Sequence, residues 1–165
     1  MPFDKPDPAQ AGTHGNEKGN VRCVATLRDT ARTMSQENVE IVRRGFEAFA
    51  SGDVAAMLAR IDDDLVTRRL APMPDPGTWH GREGFLDVFV EWTEAFDEFT
   101  AKAEELIDAG DHVVARVTQE GRGAGSGVPV TATFWFVYST RDGKIVTWDM
   151  YSTRSQAFAA VGLEE

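Results

Sequence analysis

Apolar residues recur at helical spacing through Val39, Val42, Phe46 and Phe49, and Ser51-Gly52 closes the run. Ser35 stands where an N-cap belongs and Glu37 falls in the first turn, so the pattern predicts an amphipathic helix from Ser35 to about Ala50. Asp53 caps a second, short helix whose apolar face holds Val54, Met57, Leu58 and Ile61. Leu65 to Leu70 reads as a strand. Ala71 to His80 reads as an irregular loop, because Pro72, Pro74, Pro76 and Gly77 interrupt any regular ladder. Gly81-Arg82-Glu83-Gly84 opens a third helix with Phe85, Phe89, Trp92 and Phe96 on one face and Asp87, Glu91 and Glu94 on the other.

From Phe99 the period changes to two, and strands follow one another through hairpin turns. Ala109-Gly110-Asp111 makes the first turn, the glycine-rich stretch Arg122 to Gly127 a looser one, and Asp142-Gly143 the tightest. Ser152 or Thr153 caps a last short helix from Ser155 to Val161, closed by Gly162. The expected class is α+β: three N-terminal helices packed on a mainly antiparallel sheet, with a short C-terminal helix.

Residues 1–33 do not share this pattern. Pro2, Pro6, Pro8, Gly12, Gly15 and Gly19 punctuate a polar stretch without apolar period, although Val21 to Leu27 has the composition of a short strand. Met34-Ser35-Gln36-Glu37-Asn38 resembles a protein start that runs at once into a helix. The expectation is a disordered tail, or an over-called upstream start, over 1–33 and one domain over 34–165.

A length of 165 residues allows one good core and is short for two. No apolar run is long enough to cross a membrane, and the N-terminus lacks the basic-then-apolar layout of a secretory signal, so a cytoplasmic location is expected. The formal net charge of −10 opposes nucleic acid as a partner. Cys23 has no second cysteine to pair with, and His14, His80 and His112 are scattered, which leaves no metal-ligand spacing and no expected cofactor. The triplet Asp62-Asp63-Asp64 reads as a solvated turn rather than a cation site. Gly121 to Gly127 leads into Val128-Pro129-Val130 and not into a helix N-terminus, so it reads as a hairpin connection and not a phosphate cradle.

Six short stretches carry a family resemblance. They are Glu37-Asn38-Val39-Glu40-Ile41-Val42-Arg43-Arg44, Phe46 with Ser51-Gly52-Asp53, Gly81-Arg82-Glu83-Gly84, Leu106-Ile107-Asp108-Ala109-Gly110-Asp111, Asp142-Gly143-Lys144-Ile145 and Ala160-Val161-Gly162-Leu163. Together they resemble the bacterial SnoaL-like branch of the nuclear transport factor two superfamily, over nearly all of 35–165. The resemblance implies a cone in which a curved sheet wraps the helices around a cavity. Relatives include polyketide cyclases, ketosteroid isomerases, dehydratases, epoxide hydrolases and non-catalytic binding domains, so it specifies the fold far better than the chemistry.

Taking Asp142-Gly143 as a two-residue turn sets Arg141 opposite Lys144, Val137 opposite Trp148 and Trp135 opposite Met150. Thr133, Trp135, Val137, Trp148 and Met150 then share one sheet face, and similarity to the epoxide-hydrolase relatives turns that face toward the cavity. Phe134, Phe136, Tyr138, Asp149 and Tyr151 fall on the other face, whose aromatic part is too apolar for water and implies a homodimer through the sheet. Where those hydrolases keep an Arg-x-Asp pair and a facing Asp, this chain has Thr133, Trp135 and Met150. The acid and tyrosine of the ketosteroid isomerases would fall near Arg68 and Gly45.

Weaker candidates for acid–base work remain. His80, beside Trp79, reads as a general base or as a plain helix-entry histidine. Glu91, beside Trp92, reads as a cavity carboxylate or as part of a polar helix face. Arg116 and Glu120 share a strand face and pair either inside the cavity or in solvent. Arg68 or Arg69, depending on register, is placed to meet an acidic ligand. Trp135 and Trp148 are the best apolar walls, joined by Trp79, Trp92, Thr133 and Met150. The functional expectation is a protein that binds a small, mainly apolar molecule, with isomerase, cyclase or hydrolase chemistry on one side and a non-catalytic binding or dimerisation module on the other.

Overall fold

A computed structural model of the chain describes residues 14–164, with side chains from residue 32 onward. The chain divides into two units after Met34. The elements in order are α1 (His14–Ser51), α2 (Val54–Ala59), β1 (Ile61–Arg69), β2 (Gly77–His80), α3 (Gly81–Ala95), β3 (Phe96–Ala109), β4 (His112–Gly123), β5 (Pro129–Arg141), β6 (Lys144–Tyr151) and α4 (Arg154–Val161).

Ser35 therefore lies inside α1 instead of capping it, and Val21 to Leu27 is helical rather than a strand. Between Gly19 and Gly45 the sequence has neither glycine nor proline, so nothing local stops a helix there. Residues 1–13 lie outside the described part. Helix α2 has the expected cap, with the Asp53 carboxylate accepting from the Ala56 N–H at 3.0 Å. Helices α1 and α2 precede the first strand, and α3 follows β1 and β2. The acidic triplet is the start of β1, with Asp63 ion-paired to Arg82 at 3.0 Å and Asp62 to Arg141 at 3.8 Å. The stretch after Pro76 also departs from expectation: Gly77 to His80 pairs with β1 as an edge strand, beyond the last proline of the loop.

One six-stranded mixed sheet runs in the order β2-β1-β6-β5-β4-β3, antiparallel throughout except for the parallel β1–β6 pair. The Asp142-Gly143 turn is as tight as read, both residues taking positive φ of 52° and 76°, which suits a primed hairpin turn. Arg141 does face Lys144, but the register shifts one residue on, leaving Val146 as a bulge between Thr140–Ile145 and Ser139–Thr147.

That single extra residue shifts the partner of every β6 residue beyond it. Tyr138 now faces Trp148 and Phe136 faces Met150, while Val137 faces Asp149 and Trp135 faces Tyr151. The inner face carries Phe136, Tyr138, Trp148 and Met150 into the main core with Val113, Ala115 and Val117 of β4 and Phe85 and Val88 of α3. On the outer face, Val114, Trp135 and Val137 pack under Ala157 and Phe158 of α4. Phe136 and Tyr138 are interior residues at 2% and 7% exposure, so the aromatic outer face expected for the sheet does not exist.

Candidate functional site

Two cavities open within this core. The inner one, about 70 Å³, lies between the sheet and α1, α2 and α3, with Phe46, Phe85, Phe89, Tyr138 and Trp148 in its wall. It has room for a water or two and is too small for an organic molecule. The outer one, about 330 Å³, lies where the C-terminal end of α3 meets β3, β4 and β5 under the loop after β1. Trp92, Phe96, Phe99 and Phe134 give it an apolar wall, and Arg69, Glu91 and Gln119 bring polar groups to it.

Arg69 follows from strand parity. Leu65, Thr67 and Arg69 are the buried phase of β1, so the guanidinium is carried inward and is 4% exposed. A charge there needs partners. It donates to the Glu91 carboxylate at 3.0 and 3.4 Å and to the Asp75 carbonyl at 3.2 Å. Two indole faces complete its surroundings, Trp79 at 4.9 Å and Trp92 at 5.9 Å from the guanidinium carbon.

Gln119 follows from the same rule on β4, where it continues the inward phase of Val113, Ala115 and Val117. It sits at the edge of the apolar core and is 8% exposed, and its Nε2 is buried with no hydrogen-bond partner among the described residues. An unmet buried donor of this kind costs about 1–3 kcal/mol. Thr67 Oγ1 and Trp148 Nε1, neighbours across the β1–β6 register, are likewise buried without a partner.

The candidate residues separate accordingly. Glu91 and Trp92 line the outer cavity, Trp79 stacks on the Arg69 that lines it, and Glu120 borders it. Trp148 lines the inner cavity. Met150 is fully buried core and lines neither cavity. Thr133 and Trp135 lie on the outer face, Thr133 exposed and Trp135 edge-on to Phe158 at 5.9 Å, because the bulge reverses their relation to Trp148.

Arg68 is on the outer face too, in a bidentate pair with Asp149 at 2.7 and 2.6 Å, and that hydrogen-bonded carboxylate raises the Arg68 pKa. Arg116 pairs with Glu105 across β3–β4 at 3.6 Å on the same outer face, and not with Glu120. His80 is exposed at the entry to α3, where it makes no side-chain cap. Among the described residues no group of three His, Cys, Asp or Glu is placed to hold a metal ion, and no helix is long and apolar enough to cross a membrane. Gln119 escaped the sequence reading, although a polar residue in the apolar phase of a strand is a usable signal.

Residues 42–148 match the model of the SnoaL-like domain. The chain belongs to that family. Solved structures agree on the fold. An NTF2-like protein from Burkholderia thailandensis E264 is similar at 26% identity and a TM-score of 0.64, covering 77% of this chain and 98% of that one. TerC, co-crystallised with polyporic acid, is similar at 20% identity and a TM-score of 0.62, over 76% of this chain and 98% of its own. A Catenulispora acidiphila DSM 44928 protein of ketosteroid isomerase-like fold, in complex with trimethylamine, is similar at 22% identity and a TM-score of 0.60, over 76% and 94%. No curated protein sequence matches the chain. In this SnoaL-like domain the outer cavity combines an aromatic wall with the buried polar groups of Arg69 and Gln119, and a larger cavity of about 960 Å³ opens beside Arg43 and Glu47 of α1 and Lys102 and Glu104 of β3.

Proposed function

We propose that this SnoaL-like protein binds a small, mainly apolar molecule in the outer cavity and anchors it through a hydrogen-bond acceptor, such as a carbonyl oxygen, at Gln119. The observation that carries this reading is the buried, unpartnered Gln119 Nε2 on the wall of an aromatic-lined cavity. A volume of about 330 Å³ stands at the small end of ligand pockets, which fits a molecule of one or two rings. TerC, crystallised with polyporic acid, is a precedent for an organic ligand on this fold.

Calorimetric titration with acetophenone, a neutral aryl ketone, tests the reading. Saturable binding is expected, with about five- to tenfold weaker affinity in Gln119→Leu, the loss of one hydrogen bond worth about 1 kcal/mol. Equal affinity in the variant removes the anchor. No binding by any neutral aryl ketone or alcohol, with nothing co-purifying by native mass spectrometry, removes the ligand.

Acid–base chemistry in this cavity would run through Glu91, whose two oxygens are oriented by the Arg69 guanidinium. Exchange of the ketone's α-hydrogens in heavy water, followed by NMR, then exceeds the buffer rate and falls to it in Glu91→Gln. Tight binding without exchange identifies the alternative, a non-catalytic binding module. We also infer a homodimer through the outer sheet face.

A further inference from the structure

Both cavities are walled by one common residue among those described, Trp92. It stands in the wall of both the outer space of about 330 Å³ and the inner one of about 70 Å³. The ring is held on several sides. Phe99 lies 5.7 Å away, Phe89 and Trp148 each 5.9 Å, Phe136 is stacked at 6.5 Å, and the Arg69 guanidinium carbon is 5.9 Å from the ring. A wall braced this way behaves as a fixed partition, since packed aromatic cores resist displacement of one member.

The inner cavity behind it is suited to an apolar tail. Of the side chains lining it only Arg60, Trp92, Tyr138 and Trp148 carry nitrogen or oxygen, and Arg60 is already committed to the Ala56 carbonyl at 2.9 Å. We propose that Trp92 determines ligand length. The protein takes compact carbonyl compounds whose apolar part ends at the indole, and it rejects homologues whose tails would have to enter the inner cavity. This rests on the ligand reading above and adds a size limit to it. Removing the indole joins the two spaces, so the limit belongs to one side chain.

The test is a calorimetric series of straight-chain alkyl phenyl ketones, from acetophenone to octanophenone, on the full chain and on Trp92→Phe, Trp92→Leu and Trp92→Ala. In the unaltered protein, affinity rises about fourfold per added methylene and then falls abruptly at one chain length. In the variants that break moves to longer chains, furthest in Trp92→Ala, and by at least two carbons in Trp92→Leu. A smooth rise without a break in the unaltered protein overturns the proposal, as does an unmoved break in a folded variant. Trp92→Phe, the most conservative change, keeps the series readable if the smaller side chains prevent folding. Failure of every ketone to bind the unaltered protein defeats the ligand reading instead, and so separates the two.

Discussion

Tyr138 stands in the core between Phe136 and Trp148, and burial pushes its phenol well above the ordinary tyrosine range. Tyr151 is raised as well, first by partial burial and then by the Asp149 carboxylate, with the Arg68 charge opposing. These are the chain's two tyrosines. A raised folded pKa means that the neutral phenol is favoured by folding. Its contribution to stability is present in full below the unfolded value of about 10 and is lost as pH rises toward the folded value. Alkaline titration should therefore show no phenolate from Tyr138 while the fold persists, with Tyr151 ionising above the free tyrosine range, and the full two-tyrosine band should emerge only together with loss of near-ultraviolet dichroism. A phenolate band near pH 10 in the intact fold would contradict this.

The same scale shows what single residues disclose. Leu65, Thr67 and Arg69 share a phase that a reader of β1 can see, and it favours Arg69 over Arg68 as the inward arginine. Gln119 is legible in the same way. That its amide lacks a partner is not, because satisfaction depends on neighbours far away in sequence.

At the scale of elements, α3 approaches β2 so closely that Gly84 has no room for a side chain. A Cβ there would meet Trp79 Cβ at 2.8 Å and the Trp79 carbonyl carbon at 3.0 Å. Gly84→Ala should cost about 1–3 kcal/mol through overpacking, despite the better helix propensity of alanine. Urea unfolding measures it, and an unchanged or raised midpoint would show that α3 slides freely. The bulge at Val146 sets the faces of β5 against those of β6. Deleting Val146 restores uninterrupted pairing and drives either Trp148 and Met150 or Phe136 and Tyr138 out of the core, so the expected result is loss of cooperative unfolding.

The hairpin itself was readable, because Asp142-Gly143 names its turn. The bulge was not: it contains no glycine or proline, and inner-face packing alone selects it. Helix α3 was legible through Phe85, Phe89 and Trp92, whereas β2 was hidden by the prolines that precede it. So the sequence could supply most of the elements, and one residue of register decided which aromatic side chains formed the cavity.

For the whole molecule, that register also changes the basis for a homodimer through the sheet. Phe136 and Tyr138 are interior, and α4 covers Val114, Trp135 and Val137. Among the groups on the outer face are Thr133 and two ion pairs, Arg68–Asp149 and Arg116–Glu105, each closed within one chain. Such pairs have little left to offer a second copy, so attraction across the interface comes from contact area and hydrogen bonds. Against it stands the repulsion of two chains that each carry a formal charge of −10. Repulsion of that reach is screened as the Debye length falls from about 30 Å at 0.01 M to about 8 Å at 0.15 M salt, whereas short-range contacts are not. The dimer should therefore tighten with salt, and sedimentation velocity across that range should show the dimer fraction rising. A dimer that loosens with salt would place ion pairs between the copies and point to another surface. A monomer at micromolar concentration at every salt would remove the dimer and leave the outer cavity as a site complete within one chain.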